Sequence, residues 1–333
     1  MQIVIPVGFR ENFPVTKTPQ TFLNLTSREL FSSILEKLRG HELIVVTPFP
    51  KLFKKYEVQV VKDEGSGSAS CLKAVEKIIT GPFILHYSDI FTPFKPEPLM
   101  KFHEEKGAMI SAALTITPSP WRYGVISTDP NGRVVRFLYK PRPDLIFSNK
   151  VASGIFAMDP EVFDKIPYKM RMHELVSYFV HMDASVYGYE FKPFWYSLSS
   201  TEEYVDANND FLNRRMELTQ ENVSGVNVFP PAHLRDIKAK TAILGPHVTA
   251  NDVKMGRNVK IVNSVILEGV RLHDDVNISD SVIGPKVVIE KGAVVTDSLI
   301  GQGSRVGPGA KVGKSTVGVD KEVMENVFEM TLI

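Results

Sequence analysis

Continuous apolar runs and amphipathic stretches alternate along the first two hundred residues. Gln2-Ile3-Val4-Ile5-Pro6-Val7, Leu43–Val46, Val58–Val61, Phe83–His86 and Met109–Ile116 carry almost no polar interruption. That is the pattern of parallel strands buried on both faces. Between them, Leu30, Phe31, Ile34, Leu35 and Leu38 fall on one helical face. Thr26-Ser27-Arg28-Glu29 has capping-box spacing at the start of that helix, and Gly40 stops it. Further helical stretches are expected near Cys71–Ile79 and Pro98–Glu105. Asp129-Pro130-Asn131-Gly132 predicts a hairpin between Gly124–Ser127 and Val134–Phe137. The stretch from Trp121 to Tyr196 then reads as strands extending the sheet. A long helix from Thr201 to about Glu217 follows, with Ser200 and Glu203 at capping-box spacing. The order is that of a Rossmann-like, doubly wound α/β domain, whose ligands bind outside the carboxyl ends of the strands.

Beyond residue 220 the period changes. Asn263-Ser264-Val265-Ile266, Asp280-Ser281-Val282-Ile283 and Asp297-Ser298-Leu299-Ile300 recur every 17 residues. Within them runs a six-residue beat of an aliphatic residue followed four places later by a small or branched one, as in Leu272/Val276, Ile289/Ala293 and Val306/Ala310. Three hexapeptides make one coil of a triangular parallel β-helix. An interval of 17 instead of 18 implies that each coil is one residue short at a corner. About four coils are expected. The chain thus divides into an α/β domain over 1–220 and a β-helix domain over 221–333.

Charge changes this picture little. The formal net charge of +1 gives no bulk attraction to nucleic acid, and no apolar run approaches the length of a membrane span. Cys71 is the only cysteine, which excludes an internal disulfide and a cysteine-rich metal site. The N-terminus has no cationic start before an apolar stretch, so a mature, cytoplasmic chain is expected. His86, His103, His173 and His181 lack metal-ligand spacing. Candidate chemistry gathers first in Met1–Leu25, where a strand empties into a turn holding Gly8 and Arg10. Such turns cradle phosphates with backbone N–H groups and a cation.

An α/β domain of this order followed by a left-handed hexapeptide β-helix resembles the sugar-1-phosphate nucleotidyltransferases, and the resemblance covers nearly the whole chain. In that family a sugar-1-phosphate oxygen attacks the α-phosphate of a nucleoside triphosphate, releasing pyrophosphate, with Mg²⁺ held by two aspartates. The resemblance places the nucleotide at Gly8, Gly67, Ser68 and Ala69, the polyphosphate at Arg10, with Lys17 as the other candidate cation, and Mg²⁺ at Asp89 of Ser88-Asp89. It places the sugar phosphate at Gly124 of Tyr123-Gly124-Val125, Lys140 of Lys140-Pro141 and Gly154 of Ser153-Gly154-Ile155-Phe156, with Trp195 ahead of the closing helix.

Several positions depart from the family. Its loop reads Gly-Gly-x-Gly-x-Arg-x-x-Pro, whereas Gly8 stands alone here. The lysine after Pro19 is replaced by Gln20, the glutamate before Lys140 by Tyr139, and the asparagine before Ser153 by Ala152. The second metal aspartate falls at Ser197, which supplies no carboxylate. These changes gather at one site. The resemblance therefore implies a family member with an eroded site, binding a nucleoside triphosphate or nucleotide-sugar as a regulatory or scaffold subunit. Its partners would be copies of itself or an active paralogue, meeting through flat β-helix faces, with no nucleic acid and no membrane. The other reading is a working transferase with a rebuilt, Mg²⁺-dependent site. An acyltransferase using His247 or His273 between coils is disfavoured by the expected coil number.

Overall fold

The structure is a computed structural model of the chain. It describes residues 1–8, 15–17, 19, 21, 23–25, 28–63, 69–167, 170–215 and 224–332. Two compact units emerge. One comprises Met1–Gly8 with Phe31–Ser197, the other Phe9–Leu30 with Leu198–Ile333.

The first unit is built on a nine-stranded mixed sheet. Its strands are β1 (Gln2–Pro6), β2 (Glu42–Thr47), β3 (Gln59–Lys62), β4 (Phe83–His86), β5 (Ile110–Ile116), β6 (Gly124–Thr128), β7 (Val134–Tyr139), β8 (Lys150–Met158) and β9 (Val186–Glu190). β1 lies between β2 and β4, parallel to both, and β3 runs parallel to β2 on the outside. The apolar runs explain this placement. Ile3, Val4, Ile5, Ile84 and Leu85 are fully buried, as central parallel strands require. The nine-residue β8 then runs antiparallel to both β4 and β5, and the hairpin β6–β7 joins through β6. The expected hairpin turn forms, with the Asp129 carboxylate accepting the N–H groups of Asn131 and Arg133. The helix Glu97–Lys106 closes on Gly107, whose left-handed backbone ends it while its N–H caps the carbonyls of His103 and Glu104.

Local expectations differ in two places. The stretch from Cys71 forms only a 3-10 turn, Ser70–Val75, whose apolar residues sink into the core, and the helix does not continue toward Gly81-Pro82. At the capping box, Thr26 lies outside the described residues. Glu29 sits in a short antiparallel pairing of Arg28–Glu29 with Asn24–Leu25, so the helix begins only at Leu30. Sheet pairing has taken the residue meant for the first helical turn.

The second unit is a parallel β-helix. Val265, Ile266 and their successors pair coil on coil with an offset of 17, as in Ile266↔Ile283↔Ile300↔Val317. The first coils are stacked at an offset of 16 and the last at 15. One face carries seven stacked strands, more than the four coils expected, because repeats before Asn263 and after Ile300 keep the geometry while losing the Asp-Ser signature. The short corner is visible in the left-handed residues. Asp252, Asn258, Asn263 and Gly269 succeed one another in steps of six, five and six, so the face ending at Asn263 is the short one. Asn and Asp tolerate that backbone better than other residues with a Cβ.

A buried serine ladder lines this corner. Ser264, Ser281, Ser298 and Ser315 each accept an N–H from the next coil through Oγ and donate to a carbonyl two residues back. Inside, Ile261, Ile278, Val295 and Val312 stack as one apolar column. The helix Thr201–Arg215 lies against Ser264–Ile266 and Val282–Ile283, burying Val265 and Val282, which point out of the coil. Its N-terminus forms half of the expected box. Glu203 N donates to Ser200 Oγ at 3.2 Å, while the Glu203 carboxylate turns to Ser199 at 2.6 Å.

Candidate functional site

The carboxyl end of β4 turns at Ser88-Asp89 and leads into the short strand Ile90–Phe91. Tyr87 N donates to Gly154 O at 2.9 Å, which fixes this turn against β8. Gly154 has a left-handed backbone (φ +85°), and a Cβ there would meet the Tyr87 ring at 2.9 Å. Its glycine is therefore demanded by the close approach of the turn. Ile90–Phe91 pairs antiparallel with Tyr196–Ser197, setting Ser197 opposite Ile90. The two positions at which the resemblance calls for metal-binding aspartates are thus neighbours. One is the buried carboxylate of Asp89, the other a buried serine.

From Ser197 the site continues through aromatic side chains. Trp195 Nε1 donates to Ser153 O at 2.8 Å, and its ring meets Tyr123 edge-on at 4.8 Å. Lys140 N donates to Tyr123 O at 2.8 Å, and Lys140 itself holds a left-handed backbone (φ +46°). The neighbouring Tyr139 stacks on His173 with ring centroids 4.3 Å apart. Burial chiefly lowers the His173 pKa, and the charges of Arg171 and Lys140 lower it further against the opposing charge of Glu174. Gly124 is closed to substituents by the Phe137 ring, 2.6 Å from where its Cβ would stand.

Asp89, Gly154, Gly124 and Lys140 are thus joined by a series of contacts at the carboxyl end of β4 and the middle of the antiparallel β8. The nucleotide-side residues are less connected. Ala69 is buried, and its N–H donates to Met170 O at 3.0 Å, so that donor is already used. Gly8 is exposed at the end of β1, with open space where a Cβ would be. Arg10, Gly67 and Ser68 lie outside the described residues. Lys17 belongs to the β-helix unit, where its ammonium pairs with Asp320 at 2.5 Å and its N–H donates to Gln302 at 3.1 Å.

Mg²⁺ commonly takes one or two carboxylates together with phosphate oxygens and water. Among the described residues no group of three His, Cys, Asp or Glu side chains could hold a metal. Asp89 with a serine at the second position does not fit the two-aspartate arrangement.

Beneath the turn lie two groups that spacing arguments set aside or passed over. His86, the last residue of β4, is buried and its Nδ1 hydrogen-bonds Tyr87 O at 2.9 Å. Burial, followed by the charge of Lys37, lowers its pKa to about 4, against the raising effect of backbone hydrogen bonds, so the ring is neutral. The Lys37 ammonium sits 5.5 Å from the centre of the Phe91 ring, and burial lowers its pKa to about 8. His86 was legible only through its place at a strand end. Lys37, at the end of an amphipathic helix, gives no signal in the sequence. Cys71 is inert, its thiol pushed up to about 12 by burial and by Asp63.

Comparison with known proteins agrees with this geometry. Residues 19–214 match the nucleotidyl transferase family, and residues 235–333 match the GMPPB C-terminal domain. Mannose-1-phosphate guanyltransferase 2 of Candida glabrata is 28% identical over 196 residues, covering 56% of this chain and 54% of that protein. UTP--glucose-1-phosphate uridylyltransferase of Synechocystis is 26% identical over 313 residues, covering 78% and 80%. The chain spans about half the length of several of the curated relatives it matches. Among solved structures, HddC from Yersinia pseudotuberculosis superposes with a TM-score of 0.53 at 15% identity, covering 63% of this chain and 99% of that one. That likeness concerns the fold.

Proposed function

The chain belongs to the sugar-1-phosphate nucleotidyltransferase family, and from that membership we propose that it binds a nucleotide or nucleotide-sugar without turning it over. It would act as a regulatory or scaffold subunit in the cytoplasm, beside copies of itself or an active paralogue. The observation that carries this reading is Ser197. It is buried in register opposite Ile90, next to Asp89, where transfer would call for a second carboxylate.

The remaining features suit binding better than transfer. Tyr123 and Trp195 offer an apolar wall with ring edges, and Lys140 offers one cation from a backbone held in the left-handed region. Tyr139 presents a stacked ring where the family's glutamate would accept sugar hydroxyls. Charge developing on a transferring phosphoryl group needs several fixed cations or a metal. Lys17, the other phosphate cation among the described residues, already answers Asp320. Gly8, Ala69, Gly124 and Gly154 belong to the same proposal as backbone positions lining the ligand, with Arg10, Gly67 and Ser68 in the nucleotide loops.

The retained Asp89 favours the competing reading, a working transferase with a rebuilt site. One experiment separates the two. The purified chain is incubated with nucleoside triphosphates, sugar-1-phosphates and Mg²⁺ while pyrophosphate release is followed, and nucleotide-sugar binding is measured by calorimetry. Binding without turnover is expected. Turnover abolished by Asp89→Ala would overturn the regulatory reading.

A further inference from the structure

One face of the β-helix carries charge in an unusual order. In direct register, its outward positions are Lys238, Lys254, Arg271, Val288, Arg305 and Glu322. Their flanking residues, such as Val253, Met255, Leu272 and Ile289, point into the core. Parallel neighbours are about 4.8 Å apart, so Lys238, Lys254 and Arg271 form a ladder of three cations about 10 Å long. Like charges directly opposite one another in a sheet are destabilising. Two other cations of the β-helix are paired, Arg305 with Glu290 at 2.8 Å and Arg257 with Asp274 at 3.3 Å. Among the described residues, Lys238, Lys254 and Arg271 have no ion-pair partner. The nearby Asp236 is held by Arg235 at 3.3 Å, and Asp252 turns the corner two residues before Lys254 without an ion pair.

We propose that this ladder docks a helix of a partner protein, laid along the β-helix axis and bearing carboxylates at i, i+3 and i+7. Such residues share one helical face and rise about 4.5 and 10.5 Å from the first, close to the ladder's about 4.8 and 9.6 Å. An acidic strand laid the same way repeats its side chains every 6.8 Å or so and falls out of step by the third. The molecule itself shows that a face of this β-helix can receive a helix. The adjoining face holds the chain's own Thr201–Arg215, seated on buried Val265 and Val282. Where that face is apolar and permanently covered, the ladder is exposed and charged, which suits a reversible, electrostatically steered contact.

The test uses the full chain and a fluorescent helical peptide of about 20 residues bearing glutamates at i, i+3 and i+7. A second peptide of equal composition has the glutamates spread around the helix. Anisotropy should show the striped peptide binding at least about fivefold tighter, with affinity falling steeply between about 25 and 300 mM salt. Lys254→Gln should weaken it about threefold, and Lys238→Gln/Lys254→Gln/Arg271→Gln roughly thirtyfold. Lys260→Gln/Lys311→Gln, on another face, should leave it unchanged. The triple variant should melt no lower than the parent, because a repulsive stack has been removed. Equal binding of the two peptides would overturn the proposal, as would an equal loss in the Lys260/Lys311 variant. So would a lower melting temperature of the triple variant, or tighter, ladder-dependent binding of a single-stranded oligonucleotide.

Discussion

Ser197→Asp is the most informative substitution in the first unit. It places a carboxylate in a buried position opposite Ile90, beside the buried Asp89. If the two carboxyl groups converge across this pairing, a separation of about 6 Å is the order of magnitude for neighbouring positions on paired strands. At an effective dielectric constant of about 20, two unit charges at that separation repel by about 3 kcal/mol. Without metal the variant should therefore lose about 3 kcal/mol at neutral pH, roughly 6–12 °C for a domain of this size. The introduced carboxyl resists ionisation in the folded state, so the penalty vanishes at low pH, where it stays protonated, and grows as pH rises through its folded pKa. A divalent cation bridging the pair should reverse the loss. At about a hundred times its Kd, Mg²⁺ would return about 2.7 kcal/mol. The assay is thermal unfolding of parent and variant at pH 5 and pH 8, in EDTA and in excess Mg²⁺. A parent gaining as much from Mg²⁺ as the variant would refute the reasoning, since one carboxylate would then suffice. A variant indifferent to Mg²⁺ would show that the two positions do not converge.

Gly154→Ala should cost about 2–5 kcal/mol, combining a strained left-handed backbone with a Cβ that meets Tyr87 at 2.9 Å, as read by denaturant unfolding. Ser281→Ala removes the acceptor for the buried Ser298 N–H and should cost about 1–3 kcal/mol, seen as a lower melting temperature of the β-helix. His86 binds its proton less readily folded, near pH 4, than unfolded, near pH 6.5. The unfolded chain is therefore favoured as pH falls through that window, by up to about 3 kcal/mol. His86→Gln should flatten the stability profile between pH 6.5 and 4, measured by urea titration at each pH.

The strands were legible wherever burial on both faces left an unbroken apolar run, as at Ile3–Ile5 and Phe83–Leu85. The β-helix was legible because a closed coil forces its period on every residue, and Ser264, Ser281, Ser298 and Ser315 answer one another at that interval. The coils outside this stretch were missed, since Val226–Val228 and Val327–Phe328 keep the pairing while their corners change sequence. Helix limits were less readable. Glu29 satisfies a capping pattern and also a strand, and only the pairing with Asn24 decides between them. At the candidate site, Asp89 and Ser197 could be aligned from motif order, but their adjacency rests on a two-residue pairing that has no pattern of its own. Gly124 and Gly154 read as ligand-facing, yet each is first required by a neighbouring ring, Phe137 or Tyr87. Lys37 was invisible because its depth depends on the rings packed around it.

The engagement of Lys17 with Gln302 and Asp320 also sets an order of events during synthesis. The residues that follow the first strand leave the ribosome early, but Gln302, which bonds Lys17, lies 285 positions later. At about 5–20 residues per second, Lys17 waits roughly 15–60 s for that contact. By then the sheet strands and early coils already have their neighbours. The coil holding Gln302 and Asp320 therefore acts late on Val15 and Lys17, whose hydrogen bonds and ion pair with it form only after Gln302 and Asp320 have been made.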